Sequence, residues 1–255
     1  MKTQIVVAVH KPYPIPQDPL YLPVQAGRAL HTSLGFTGDD SGENISSKNP
    51  HYCELTCLYW AWKNLDADAI GLCHYRRYFA GRPFGRKWDR ILSGAQAEKL
   101  LSKVPVVLPK KRNYYIETGW SQYAHAHYEE DLLTVQAILE ARWPNYIPAF
   151  DRTLSRTSGH RFNMFIMKRE ILDAYCTWLF AVLAELEEKL DISEYSSNDQ
   201  RVFGFVAERL LDVWIETERI PYCECPVIHM ESQHWLKKGS AFLRRKFSAK
   251  QKLPR

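Results

Sequence analysis

No Cys-x-x-Cys pair occurs among the six cysteines at 53, 57, 73, 176, 223 and 225, and no histidine is spaced from them as a zinc module requires. Cys53 and Cys57 lie one helical turn apart, the usual setting of small buried thiols, so the cysteines point to a reducing compartment. No stretch reaches the roughly 18 apolar residues of a membrane span. The N-terminus carries one lysine and a strand-length apolar run that stops at His10-Lys11-Pro12, too short for the core of a signal peptide. A cytoplasmic protein is expected. Also absent are a Gly-x-Ser-x-Gly elbow, a glycine fingerprint after the first strand, and the Gly and Lys spacing of a phosphate loop. The glycine-bearing segment Gly38-Asp39-Asp40-Ser41-Gly42-Glu43-Asn44 reads instead as a flexible acidic loop. A formal charge of +5 is too weak to argue for nucleic acid. Neither an internal repeat nor a low-complexity linker divides the chain. One domain over 1–236 and a basic tail over 237–255 are expected.

What the chain has is a large apolar inventory: 45% hydrophobic and 13% aromatic residues over 255 positions, enough for a sizeable core. Its basic surplus is uneven, with eight Lys or Arg and no acid from Lys237 to Arg255.

Gln4–Val9 is a β-branched run with a proline-rigid exit, a first buried strand. Residues 14–50 form a long loop with a helical turn over Leu22–Leu30. Asn49-Pro50 then offers a cap and a first-turn proline for a helix to Asn64, with Tyr52, Leu55, Tyr59 and Trp62 on its inward face. Ala69-Ile70-Gly71-Leu72-Cys73 follows as a second buried strand, so the order strand, loop, helix, strand begins a parallel sheet. Further strands are expected at Val104–Pro109, Arg161–Met167 and Tyr222–His229. Helices are expected at 129–142, 169–190 and 201–217, with an irregular aromatic stretch at Asn113–His127.

The chemistry gathers after the second strand, in His74-Tyr75-Arg76-Arg77. In an open α/β sheet, ligands collect at the carboxyl ends of the strands, and paired guanidiniums match phosphate oxygens. A solvated basic turn is the alternative. An enzyme using a nucleotide sugar must stabilise a departing diphosphate, commonly with a metal on an Asp-x-Asp pair. That spacing occurs at Asp66-Ala67-Asp68, but at the amino end of the strand, where a turn is the better reading. Fixed cations at the other end would take over the metal's electrostatic role. Asp199, at a helix mouth, is the candidate general base; capping the helix is its structural alternative. His125 and His127 read as polar lining of a sugar pocket or as structural histidines.

The blocks Val9–Tyr13, Asp39–Ser46, Asn49–Thr56, Gly71–Phe79, Asn113–Thr118, Ser158–Met167 and Arg201–Phe205 together resemble a bacterial family of capsular and exopolysaccharide biosynthesis proteins, long described as a domain of unknown function. The resemblance covers about residues 4–247. It implies a GT-A-like α/β fold, a single domain with a mostly parallel central sheet flanked by helices. It also implies a glycosyltransferase of O-antigen or capsule assembly, in a family that includes β-galactofuranosyl transfer from UDP-galactofuranose. By the same resemblance, His10, Lys11 and Tyr13 lie by the nucleotide, and His74, Arg76 and Arg77 stand where related folds keep Asp-x-Asp. Asp199 falls at the general location of the catalytic carboxylate.

The resulting expectation is an inverting transferase with no cofactor and no required metal. Arg76, Arg77 and Lys11 hold the UDP-sugar diphosphate, Asp199 takes the acceptor proton, and Asn163, His125 and His127 line the sugars. The acceptor is a lipid-linked glycan, and the tail, with Trp235, Phe242, Leu243 and Phe247, suits an anionic inner membrane face. Two rivals use the same residues without chemistry: a polyanion or nucleic-acid binder, and a glycan-binding partner.

Overall fold

The structure, a computed structural model, describes residues 1–231; the basic tail and its expected membrane role therefore lie outside the described residues. The first third contains β1 (Thr3–Val9), β2 (Tyr21–Gln25), β3 (Thr37–Gly38), α1 (Asn49–Tyr52), α2 (Leu55–Asn64), β4 (Ala69–His74) and β5 (Arg77–Phe79). The middle adds α3 (Gly94–Leu101), β6 (Val106–Pro109), β7 (Arg112–Asn113), α4 (Gly119–Ala126), α5 (Glu129–Arg142) and α6 (Ile147–Ser155). The last part is β8 (Ser158–Gly159), β9 (Phe165–Lys168), α7 (Arg169–Lys189), α8 (Val202–Thr217), β10 (Tyr222–Cys225) and β11 (Val227–His229).

The main sheet runs β10-β6-β9-β4-β1-β2-β3, with β5 and β11 extending it beside β4. The pairs β1–β2, β1–β4, β2–β3 and β6–β10 are parallel; β9 runs antiparallel between β4 and β6. A parallel sheet must be covered on both faces, and the alternation along β1 shows how. Val6 and Ala8, with Ile70 and Leu72 of β4, face a core built with α2, α5, α7 and α8. Ile5, Val7 and Val9, with Ala69 and Cys73, face the opposite core, which includes Ala97 and Leu101 of α3. The expected α/β class with a mostly parallel, helix-flanked sheet is what the structure has. Gly71 lets β4 and β9 approach, since a Cβ there would lie 2.9 Å from the Phe165 carbonyl oxygen.

Several local expectations are corrected. Residues 22–25 belong to β2, because a second parallel strand satisfies their backbone, and only Arg28–Leu30 makes a 3-10 turn. The helix expected over 49–64 breaks at Cys53 (φ 54, ψ −133). Asn49 is its first residue rather than its cap, and its amide donates to the Cys53 carbonyl at 2.8 Å. The aromatic stretch 113–127 contains α4, started by a Thr118–Ser121 capping box. Residues 161–164 are a turn rather than strand, since Phe162 (φ 78) and Asn163 (φ 50) are left-handed. The expected 222–229 strand is two, β10 and β11, and α3 and α6 have no counterpart in the periodicity reading.

The loop 38–44 is not flexible at its first acid. Asp39 is wholly buried, accepting from the Gly27 and Arg28 N–H groups (2.9 and 3.0 Å), from Thr56 Oγ1 (2.6 Å) and from the Ser46 hydroxyl. It ties the exit of β2 to the start of α2.

Candidate active site

A cavity of about 390 Å³ opens at the carboxyl ends of β1, β2 and β4, walled by His10, Ala26, Asn49, Pro50, Cys53, Glu54, His74, Arg76 and Arg201. Topology puts it there: adjacent parallel strands end together, and the chain leaves each end through the residues that form the wall.

His10 follows β1 and His74 ends β4, beside it, with ring centroids 5.6 Å apart. His10 Nε2 hydrogen-bonds the Tyr75 hydroxyl at 3.2 Å. Burial, and then the Arg76 and Arg77 charges, push His74 down to about 2, and burial likewise lowers His10. Both imidazoles are therefore neutral. His74 is not one of the cations the sequence grouped with the arginines; it offers hydrogen bonds, not charge.

Arg76 lines the cavity. Its Nε is buried without a partner, and its Nη1 lies 3.6 Å from Glu231. Arg77, the next residue, starts β5 and sits 4.3 Å over the Phe162 ring. Burial lowers its pKa, Glu54 and Glu208 act on it only at longer range, and no carboxylate of the described residues pairs with it. Lys11 Nζ meets the other oxygen of Glu231 at 3.4 Å and lies over the Tyr13 and Tyr75 rings. Tyr13 packs on Tyr75 at 4.7 Å. Of the six residues expected at the donor side, His10, His74 and Arg76 wall the cavity. Lys11 and Tyr13 stand beside it on Tyr75 and Glu231, the carboxylate that Lys11 shares with Arg76, while Arg77 packs on Phe162 and is not part of the wall.

Two wall residues were missed in the sequence. Arg201 donates from Nε to Cys53 Sγ at 3.1 Å; the sequence showed it only as the start of a helix, two residues after Asp199. Glu54 stands at the break before α2, its pKa raised by burial, and accepts from Asn163 Nδ2 at 2.9 Å. Asn163 also donates to the Gly204 carbonyl at 3.1 Å, so it holds Glu54 from behind and does not wall the cavity. Only the strained left-handed pair at 162–163 hints at that role.

Asp199 is 4% exposed, with Oδ1 3.1 Å from His127 Nδ1 and Oδ2 accepting from Ser196 Oγ at 2.8 Å. Two residues named separately are therefore a carboxylate–imidazole pair, with Asp199 two residues from the wall residue Arg201, and neither lines the cavity itself. His127 stacks on Phe205 at 4.2 Å. His125 leaves this group: its Nδ1 is 2.6 Å from the buried Glu117, near the surface end of α4. Asp66 and Asp68 lie before β4 and engage Lys2, at the end away from the cavity. Among the described residues, no three His, Cys, Asp or Glu side chains come together as a metal-ligand group, and no helix is long and apolar enough to cross a membrane.

The arrangement can hold an extended polyanion: guanidiniums on two sides, neutral imidazoles on the floor, and aromatic rings at the β1 exit. The solved apo structure of WbbM, a bifunctional glycosyltransferase, superposes with a TM-score of 0.84 at 28% identity, over 91% of this chain and 46% of that one. The chain thus spans about half the length of that protein. None of the curated proteins matches the sequence. Residues 4–219 match the family described as "Domain of unknown function (DUF4422)", and the chain belongs to that family.

Proposed function

We propose that this protein is a glycosyltransferase that moves a sugar, galactofuranose or galactose, from its UDP-linked form to a lipid-linked glycan acceptor in polysaccharide synthesis. The observation that carries this reading is the pairing of Arg76 and Arg201 in the wall of the cavity at the carboxyl ends of β1 and β4, with Arg77 next to Arg76 in the chain and the half-buried Glu231 against Arg76. The likeness to the bifunctional glycosyltransferase supports it.

In this reading the acceptor hydroxyl attacks the anomeric carbon as the bond from that carbon to the diphosphate oxygen breaks. UDP leaves with the bonding electrons, and its growing charge is met by Arg76, Arg77, Arg201 and Lys11 without a required metal. The acceptor proton passes to the Asp199–His127 pair. Asp199 fixes the ring through Nδ1, the role a buried carboxylate has in other acid–base pairs, so the base is the pair rather than the bare carboxylate. His10 and His74, held neutral, hydrogen-bond the nucleotide or sugar. One displacement inverts the anomeric centre.

Thermal shift with a panel of UDP-, GDP- and dTDP-sugars, with and without chelator, tests the donor class, since a ligand of the native state raises the melting point. A UDP-sugar is expected to stabilise the protein in either condition. Asp199→Asn and His127→Ala are expected to keep UDP binding and to lose transfer; full turnover in both variants removes the pair from the mechanism. The rival reading, a polyanion binder without chemistry, predicts stabilisation by single-stranded nucleic acid and none by UDP.

A further inference from the structure

The connection from β5 to α3 carries an unusual surface. Residues 82–89, Arg-Pro-Phe-Gly-Arg-Lys-Trp-Asp, are all exposed, with Phe84 at 86% and Trp88 at 43%. A phenylalanine this open costs apolar hydration unless something covers it. The loop is nevertheless built. Its ends are joined by the Gly81 N–H donating to the Arg90 carbonyl at 2.7 Å, and Asp89 N–H to Arg86 O closes a turn at 3.0 Å. Pro83 stiffens the approach to the tip, and Gly85 (φ 116) provides the backbone reversal that leaves Phe84 outermost. Around this ring stand Arg82, Arg86 and Lys87, with one acid, Asp89, paired to Arg86 at 2.9 Å.

Its position is equally specific. Lys87 Nζ donates to the Met230 carbonyl at 3.0 Å, and Met230 N–H donates to the Arg76 carbonyl at 2.9 Å. One residue thus separates the loop from the cavity wall. The same residue leads into Glu231, beyond which the sequence carries its eight Lys or Arg and no acid over Lys237–Arg255. In sequence, then, a basic segment follows the residue that the loop contacts.

We infer that the 82–89 loop is a membrane-docking element that seats on an anionic lipid bilayer, Phe84 entering the interface and Arg82, Arg86 and Lys87 meeting lipid phosphates. Aromatic tips ringed by cations bind in this way because apolar burial and headgroup attraction add. Charge complementarity selects this partner over a second apolar protein surface. Where the glycosyltransferase reading holds, docking also brings the cavity mouth to the surface that carries a lipid-linked acceptor. The docking itself does not depend on that reading.

The test is flotation of the full chain with vesicles of phosphatidylcholine alone or mixed with phosphatidylglycerol. The wild type is expected to float with the mixed vesicles and to stay behind with phosphatidylcholine. Phe84→Ser is expected to weaken flotation about ten-fold, from the apolar transfer of one such ring. Arg82→Ala with Arg86→Ala is expected to weaken it a further roughly thirty-fold, about five-fold per cation. Because Phe84 is open to solvent, its variant should keep the wild-type melting point and UDP shift, which separates this result from any failure of the cavity reading. Wild-type flotation by all the variants assigns binding to the tail alone and overturns the inference, as does a wild type that floats with neither vesicle.

Discussion

Asp39→Ala is the sharpest test of how the cavity wall is held. The carboxylate is buried and serves four donors from three separate segments: the Gly27 and Arg28 N–H groups, the Thr56 hydroxyl and the Ser46 hydroxyl. Removing it does not strand all four. The Thr56 hydroxyl keeps the Cys53 carbonyl at 3.1 Å, whereas the Ser46 hydroxyl, although it still accepts from Ala29 N–H, loses the acceptor for its own proton. The Gly27 and Arg28 N–H groups lose their only acceptor. Each unsatisfied buried group costs about 1–3 kcal/mol, and the lost charge-assisted bonds bring the total to about 3–5 kcal/mol. For a chain of this size each kcal/mol lowers Tm by about 2–4 °C, so a fall of about 10 °C is expected by differential scanning calorimetry. Asp39→Asn separates charge from volume. Its amide keeps one acceptor oxygen but turns an NH₂ toward donors, so it should lie within about 1 kcal/mol of alanine. A melting point for either variant within about 1 °C of wild type refutes the reasoning.

Three further outcomes follow from the site. His74 is neutral in the fold and takes up a proton near pH 6.5 when unfolded, so the unfolded state binds more protons below that pH. Stability should therefore fall with acidification, by about 1.4 kcal/mol per pH unit from about 6.5 downward, and His74→Gln should flatten the acid limb of Tm against pH. Glu231→Gln removes the carboxylate shared by Lys11 and Arg76; since that pair is partly exposed, UDP affinity should rise only about two- to five-fold by calorimetry. Gly71→Ala drives a methyl to 2.9 Å from the Phe165 carbonyl oxygen, and overpacking of about 1–3 kcal/mol should appear as a lower urea midpoint.

Much of this was legible from the chain because the signals are local. The β-branched run at 4–9 and the apolar run at 69–73 are buried on both faces and read as such without a partner. The jump from Cys73 to His74-Tyr75-Arg76-Arg77 marked the cavity wall, because strand ends in such sheets face ligands. What stayed hidden depends on long-range contacts. Arg201 joins the wall only when α8 is placed against Cys53, and His127 meets Asp199 across 72 positions. Asp39 looked like loop acid because nothing nearby in sequence announces its four donors. The 161–164 turn was masked by apolar neighbours, since Phe162 and Asn163 adopt a backbone usually reserved for glycine. The short helices α3 and α6 have too few turns for a clear apolar period.

The central claim is that permanent guanidinium charge holds the donor diphosphate beside β4. Titration calorimetry with UDP on the wild type, Arg76→Ala, Arg77→Ala and Arg201→Ala measures it directly. Charge-assisted hydrogen bonds of about 1.5–3 kcal/mol predict a loss of about ten- to a hundred-fold in affinity for each variant at an unchanged melting point. Wild-type affinity in both the Arg76 and Arg77 variants would contradict the account.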